Sequence, residues 1–259
     1  MLLAVDIGNT HTVAGLLGDG GKPVSGWRMR TDRLETPDEL GIKMTTLFDL
    51  AGVGVRDIDA CVVSSVVPPA LDCWKGFVNR YVRCELVCVN DRLEDIMSIR
   101  YSRPYEVGAD RIVNAVAAWE KYRAGVIVVD FGTAITFDCV SADREYLGGV
   151  IAPGPGLAAS SLASGTSGLP LVDLVEPTDR EIIAQDTVSA IQAGIVYGFA
   201  ALTDGIAERL ASRFPACPQC MATGGLAGVI IPHCRNISII EPDLTLIGLY
   251  LIRTKYLKT

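Results

Sequence analysis

Val5-Asp6-Ile7-Gly8-Asn9-Thr10 closes the first apolar run of the chain, and Val129-Asp130-Phe131-Gly132-Thr133 closes a later one. Each reads as a hydrophobic strand that ends in an aspartate, then a glycine, then a hydroxyl. The two aspartates stand 124 positions apart, about half of the 259-residue chain. Two related half-domains facing each other across a cleft explain that spacing. Each would offer an acid and a glycine-rich turn, a sensible way to hold Mg²⁺ and the phosphates of a nucleotide. Glycine lets backbone N–H groups approach phosphate oxygens because no Cβ intervenes. Asn and Thr add neutral donors, and Mg²⁺ keeps several waters and needs few protein carboxylates. A single D-x-G is read equally well as a tight hairpin turn. Two matched copies, each after a buried-looking strand, are not. No G-x-x-x-x-G-K-[ST] loop occurs, and Gly20-Gly21-Lys22 runs into Pro23.

Composition narrows the classes. With 49% hydrophobic and 20% charged residues the chain is globular, and its length suits one large domain or two ordinary ones. A net charge of −7 argues against broad electrostatic binding to nucleic acid. It leaves room for a nucleotide held by a local nest and a metal ion. No run of about 18 uncharged apolar residues appears, so no membrane span is expected. The N-terminus lacks a basic region, and Asp6 interrupts its apolar stretch, so it does not read as a signal peptide and the cytoplasm is the expected compartment. The eight cysteines are expected as free thiols. Cys217-Pro218-Gln219-Cys220 lacks the second pair of a zinc knuckle and reads as an exposed turn.

Strands are expected over Leu2–Val5, Thr12–Leu17 and near Trp27–Met29, a meander directly after the first turn. Thr36 caps a helix expected to reach about Ala51, with Pro37 in its first turn. A strand at Ile58–Ser65, a helix from Pro68 to about Tyr81 and a strand at Leu86–Val89 follow. Asp91–Pro104 reads as irregular. Ile112, Ala115, Val116 and Trp119 recur at helical spacing up to Tyr122. The second motif is followed by its own meander, Ala134–Val140 and Tyr146–Ile151. A helix is expected after Gly156, a long one over Thr187–Arg213, a strand ending at Gly224-Gly225, and a last helix from Asp243 to about Tyr256. Asp110 is the candidate general base. It sits in the first helical turn beside Arg111, where negative charge is favoured, and a carboxylate there can orient a substrate hydroxyl and accept its proton. It also reads as a capping acid, and Arg111 as a surface arginine.

The ordered motifs resemble the type III pantothenate kinases, within the acetate and sugar kinase, heat-shock chaperone and actin superfamily. The carriers are Asp6-Ile7-Gly8-Asn9-Thr10, Ser64-Ser65-Val66-Val67-Pro68, Ile99-Arg100-Tyr101, Gly108-Ala109-Asp110-Arg111-Ile112-Val113-Asn114-Ala115 and Val129-Asp130-Phe131-Gly132-Thr133-Ala134. Further carriers are Leu147-Gly148-Gly149-Val150-Ile151-Ala152-Pro153-Gly154, Asp186-Thr187 and Ala222-Thr223-Gly224-Gly225-Leu226-Ala227. The resemblance spans essentially the whole chain. It implies an α/β fold of two duplicated ribonuclease H-like (actin-like ATPase) lobes, 1–120 and 121–259, each a mixed β-sheet with flanking helices and with a cleft between them. The implied activity is ATP-dependent phosphorylation of pantothenate to 4'-phosphopantothenate, the first step of coenzyme A biosynthesis, by a cytoplasmic homodimer with its substrate pocket near the subunit interface.

The resemblance also implies roles for residues. Asp6, Ile7, Gly8, Asn9, Thr10, His11, Thr12 and Val13 would hold the ATP phosphates, with Mg²⁺ reached from Asp6 through water or phosphate. Gly132, Thr133, Gly224 and Gly225 would serve ATP as well. Asp110 would accept the proton of pantothenate, and Tyr101, Gly108, Ala109, Asp110, Arg111 and Thr187 would bind it, with Arg111 a partner for its carboxylate. Asp130 would hold a monovalent cation, K⁺ or NH₄⁺. The chain departs from the family pattern at His11, which stands for an asparagine and either faces the phosphates or covers the sheet edge. Asp186 also replaces an asparagine and brings a carboxylate near a carboxylate substrate. Leu93–Ser98 lacks a usual Thr-Gly pair, and Ser164–Gly168 is smaller and more polar than usual. A kinase for another small hydroxyl substrate, or a non-catalytic transcriptional accessory protein on the same fold, remains the alternative. Retention of Asp6, Asp110 and Asp130 together weighs against a dead enzyme.

Overall fold

The apolar run that ends at Asp6 forms β1 (Leu2–Ile7), in which Leu3, Ala4, Val5 and Ile7 lose all contact with solvent. Burial of successive residues means that both faces of the strand are covered. In the computed structural model, which describes residues 1–177 and 182–257, the chain divides into two units, Met1–Ala117 with Leu244–Thr259 and Ala118–Asp243.

The first unit opens with a meander, β1, β2 (His11–Leu17) and β3 (Pro23–Arg30). Helix α1 (Pro37–Leu50) starts at a reciprocal cap. The Glu39 amide donates to Thr36 Oγ1 at 3.3 Å, and the Thr36 amide donates to Glu39 Oε2 at 2.9 Å. Next come β4 (Ala60–Ser65), α2 (Pro68–Phe77) and β5 (Glu85–Cys88), giving a sheet in the order β3-β2-β1-β4-β5 with β1 parallel to β4. Met44 and Phe48 from α1 and Trp74 and Phe77 from α2 pack on Leu3, Val5 and Ile7. The stretch expected to be irregular holds one turn of helix, α3 (Leu93–Ile96), and a two-residue strand, β6 (Ser98–Ile99). Helix α4 (Ala109–Tyr122) follows and runs out of the first unit after Ala117.

The second unit repeats the plan. Strands β7 (Val126–Phe131), β8 (Ala134–Val140) and β9 (Glu145–Pro153) form its meander. Helices α5 (Pro155–Gly165) and α6 (Thr187–Ala211) precede β10 (Gln219–Thr223), which pairs parallel to β7 as β4 pairs to β1. One helical turn, α7 (Ala227–Ile230), leads to β11 (Ile239–Ile240), and the strands run β11-β10-β7-β8-β9. Val196, Ala200 and Ala207 of α6 pack on Val129, Phe131 and Phe137. With 25 residues, α6 is long and apolar enough by length and composition to cross a membrane, although Asp204 ends its uncharged stretch short of 18 residues.

The division expected at 120/121 needs correction at the C-terminus. Helix α8 (Leu244–Leu251) belongs to the first unit. Its sequence is apolar all round, so it needs cover on more than one side. Leu246 fills the space a side chain at Gly15 of β2 would take, Gly248 lies against the Val113 carbonyl of α4, and Thr245 Oγ1 donates to Asn114 Oδ1 at 2.8 Å.

Candidate active site

Strand register places the acid of the first turn. Asp6 pairs with Val13 on one side and Ser64 on the other, and Ser64 Oγ donates to its Oδ1 at 2.7 Å. Ser64 is wholly buried, the first of two serines that close an apolar strand. That position was the available signal for its role, which was read only as part of a motif. Asp110 lies in the first turn of α4, where the Arg111 amide donates to Asp110 Oδ1 at 2.9 Å. A Cβ at Gly108 would sit 2.5 Å from that oxygen, so the glycine makes room for the carboxylate to fold over the helix start.

Both carboxyls are raised, and Asp6 feels the charge of Asp110. Burial pushes the Asp6 carboxyl up, and the charge of Asp110 pushes it further, to about 7, against the pull of the Ser64 hydroxyl. Burial also raises Asp110, against its bond to the Arg111 amide and the Arg111 charge. Arg111 itself is 8% exposed, not the surface arginine of the alternative reading. This arrangement has a stability signature. Folded Asp6 holds its proton up to about pH 7, whereas the unfolded chain releases it near 3.8. The folded state binds more protons in that window, so this group's contribution to stability falls as pH rises through it. The melting temperature of the ligand-free protein is expected to decline from about pH 4 to about pH 7, and Asp6→Asn to flatten the decline. Equal slopes in the two proteins would refute the coupling.

The turn after Asp6 closes with the Gly8 amide donating to the His11 carbonyl at 3.0 Å. Thr31 Oγ1 donates to the Gly8 carbonyl at 2.7 Å and lies 2.9 Å from Thr12 Oγ1. Thr12 is therefore buried and its hydroxyl engaged, and Ile7 lies in the core. Of the eight residues expected to meet phosphate, Ile7, Gly8, Thr12 and Val13 therefore offer backbone rather than side-chain donors. Asn9, Thr10 and His11 are exposed. Arg33 Nη2 donates to Asn9 Oδ1 at 3.3 Å, and Arg28 Nη2 lies 3.2 Å from His11 Nδ1.

In the second unit Asp130 pairs with Thr136 and with Thr223, the same relation that Asp6 has to its neighbours. The Gly132 amide donates to the Ala134 carbonyl at 3.1 Å, closing a turn like the first but one residue shorter. Gly224, at φ +93°, lies against Asp130, and a Cβ there would meet Asp130 Oδ1 at 2.5 Å. Gly154 abuts the Gly132 and Thr133 carbonyls and donates its amide to the latter at 3.0 Å. Gly132, Thr133 and Gly225 are exposed.

The residues expected at the acceptor substrate are not all gathered by one element. Gly108, Ala109, Asp110 and Arg111 stand together at the start of α4. Tyr101 is 36% exposed in the segment after β6. Thr187 opens α6, where Asp186 caps the helix by accepting the Ser189 amide at 3.0 Å, a bond that lowers the Asp186 carboxyl. Asp186, Thr187, Leu162 and Ile191 line a groove of about 670 Å³. Cys217 is exposed, and all eight cysteines are free thiols.

The family model described as type III pantothenate kinase matches residues 2–209. The chain belongs to this family. A type III pantothenate kinase from Desulfosudis oleivorans is 47% identical over 252 residues, covering 97% of this chain and 98% of its own. Solved structures show the same fold. A protein described as a Baf family transcriptional activator, from Campylobacter jejuni, superposes with a TM-score of 0.59 at 20% identity, over 97% of this chain and 96% of its own. A ROK family glucokinase from Streptomyces griseus, in complex with glucose and AMPPNP, gives 0.51 at 14% identity, over 96% and 97%. At such identities the likeness is one of fold. It supports the two duplicated lobes of mixed sheet expected for a type III pantothenate kinase.

Proposed function

We propose that the chain transfers the γ-phosphoryl group of ATP to the primary hydroxyl of pantothenate, giving ADP and 4'-phosphopantothenate. The observation that carries this reading, beside family membership, is the pair of raised carboxylates in the first unit, Asp6 held up by burial and by the Asp110 charge, and Asp110 held up by burial. A cation beside Asp6 would relieve the repulsion that raises its carboxyl, so the donor set suits Mg²⁺ held through water or phosphate. When bound, Mg²⁺ supplies positive charge on the phosphates.

The backbone of Gly8 to Val13 and the donors of Asn9, Thr10 and His11 cradle phosphate oxygens. Gly132, Thr133, Gly224 and Gly225 serve the nucleotide from the second unit. Asp110 orients the acceptor hydroxyl. As the hydroxyl oxygen bonds to the γ-phosphorus and the bridging bond to the β-phosphate breaks, Asp110 takes the hydroxyl proton. Its raised affinity for a proton makes it a better base for this step. Arg111 pairs with the carboxylate of pantothenate, with Tyr101 and Thr187 as further contacts. Asp130 holds K⁺ or NH₄⁺. We also assign a homodimer and a cytoplasmic location, in line with the family resemblance.

Purified protein with ATP, Mg²⁺, K⁺ and pantothenate is expected to release ADP and to form phosphopantothenate, and Na⁺ in place of K⁺ to slow it. Turnover of another alcohol but not pantothenate would reassign the substrate. Equal rates in Na⁺ and K⁺ would remove the role given to Asp130. A transcriptional accessory role draws only on the described activity of the Campylobacter jejuni protein. The net charge of −7 weighs against DNA contact.

A further inference from the structure

We infer that Arg28 and Arg33 are positioning residues for the phosphate turn, covering the acceptor atoms of His11 and Asn9 so that both side chains present only N–H groups outward. The inference rests on the phosphate-binding role proposed for that turn. An anion site needs donors, yet two of the three exposed side chains of the turn, Asn9 and His11, are ambivalent. A neutral imidazole carries one donor nitrogen and one acceptor, and an amide carries an oxygen beside its NH₂. Either can turn a lone pair toward a phosphate and repel it.

The surrounding arginines remove that choice. Arg28 Nη2 lies 3.2 Å from His11 Nδ1. A guanidinium only donates, so Nδ1 must be the bare, accepting nitrogen and the proton must sit on Nε2. Arg33 Nη2 donates to Asn9 Oδ1 at 3.3 Å, which leaves the Asn9 NH₂ as the outward end. The two contacts have the same sense, cation on acceptor, and they come from separate positions, β3 and the segment after it. Burial and then the Arg28 charge hold the His11 imidazole below its usual proton affinity, so the ring stays neutral near pH 7. Arg30, the direct strand partner of His11, adds a third cation on the same exposed face. His11 in its Nε2–H form thus supplies what the asparagine usual at this position supplies, a neutral donor.

The test is a pair of double-mutant cycles read as the KM for ATP at saturating Mg²⁺ and pantothenate. His11→Ala, Asn9→Ala, Arg28→Met and Arg33→Met are each expected to raise this KM about fivefold, the scale of one hydrogen bond. Arg28→Met should add nothing in the His11→Ala background, nor Arg33→Met in the Asn9→Ala background. Multiplying effects would mean that the arginines act on ATP directly, and would overturn the inference. An unchanged KM in both His11→Ala and Asn9→Ala would remove the phosphate site itself.

A second readout needs no nucleotide. The ¹⁵N spectrum of the ligand-free protein should show His11 Nδ1 bare and Nε2 protonated. Arg28→Met should mix the tautomers and raise the proton affinity of the ring. A protonated Nδ1 in the unsubstituted protein would overturn the assignment whatever the kinetics.

Discussion

Asp110→Asn is expected to lower kcat by about 10³-fold, the scale of a lost general base, without loss of the fold. Asparagine keeps the shape of the side chain, and its oxygen can still accept the Arg111 amide that now donates to Asp110 Oδ1 at 2.9 Å. Only the proton-accepting capacity goes. The substitution also removes a buried charge facing Asp6, the second cause of the raised Asp6 carboxyl. The variant should therefore melt no lower than the parent, and higher at pH above about 7, where Asp6 gives up its proton. ADP release and thermal melting on one preparation decide the matter. A rate within tenfold of the parent would assign the proton to another group, and a lower melting temperature would make Asp110 a structural cap.

Gly224→Ala is expected to cost about 2–4 kcal/mol of stability, from two independent sources. At φ +93° the backbone lies where a side chain is strained whatever the space around it. The added Cβ would also meet Asp130 Oδ1 at 2.5 Å and the Phe131 amide at 2.6 Å. Neither neighbour yields freely, because the register ties Asp130 to Thr223 and Thr136. Any relief must move the Asp130 carboxylate, so the surviving folded protein should also lose K⁺ stimulation. Gly228→Ala is the control, with open space around its Cβ in the helical turn α7. Denaturant melts should separate the two, and similar midpoints would show that Gly224 is not a constrained position.

Much of the fold was legible because its signals are local. Thr36, Pro37 and Glu39 announce the start of α1 by hydrogen-bond chemistry within four residues. The buried strands announce themselves as apolar runs, and the two D-x-G turns mark the repeat. What was not legible depends on strand register or on distant packing. The engagement of the Thr12 hydroxyl appears only once β3 brings Thr31 beside it. Ser64 became a partner of Asp6 only through the parallel pairing of β1 with β4. The arginine contacts of His11 and Asn9 likewise need β3 in place. Helix α8 gave a clear helical signal, yet nothing in its own residues says which unit it covers. The complementary gaps at Gly15 and Gly248 decide that, and they exist only once the chain has folded.

The placement of α8 also orders events at the ribosome. Residues 118–243 are a complete unit inserted between the two pieces of another. A nascent chain would present the whole inner unit before the closing helix of the outer one had left the exit tunnel. Until then Gly15 and Val113 lack their cover, and the outer sheet waits with an apolar flank open. Birth of the protein would thus proceed from the inside out, and the segment bearing Asp6 and Asp110, though synthesised early, would be among the last to settle.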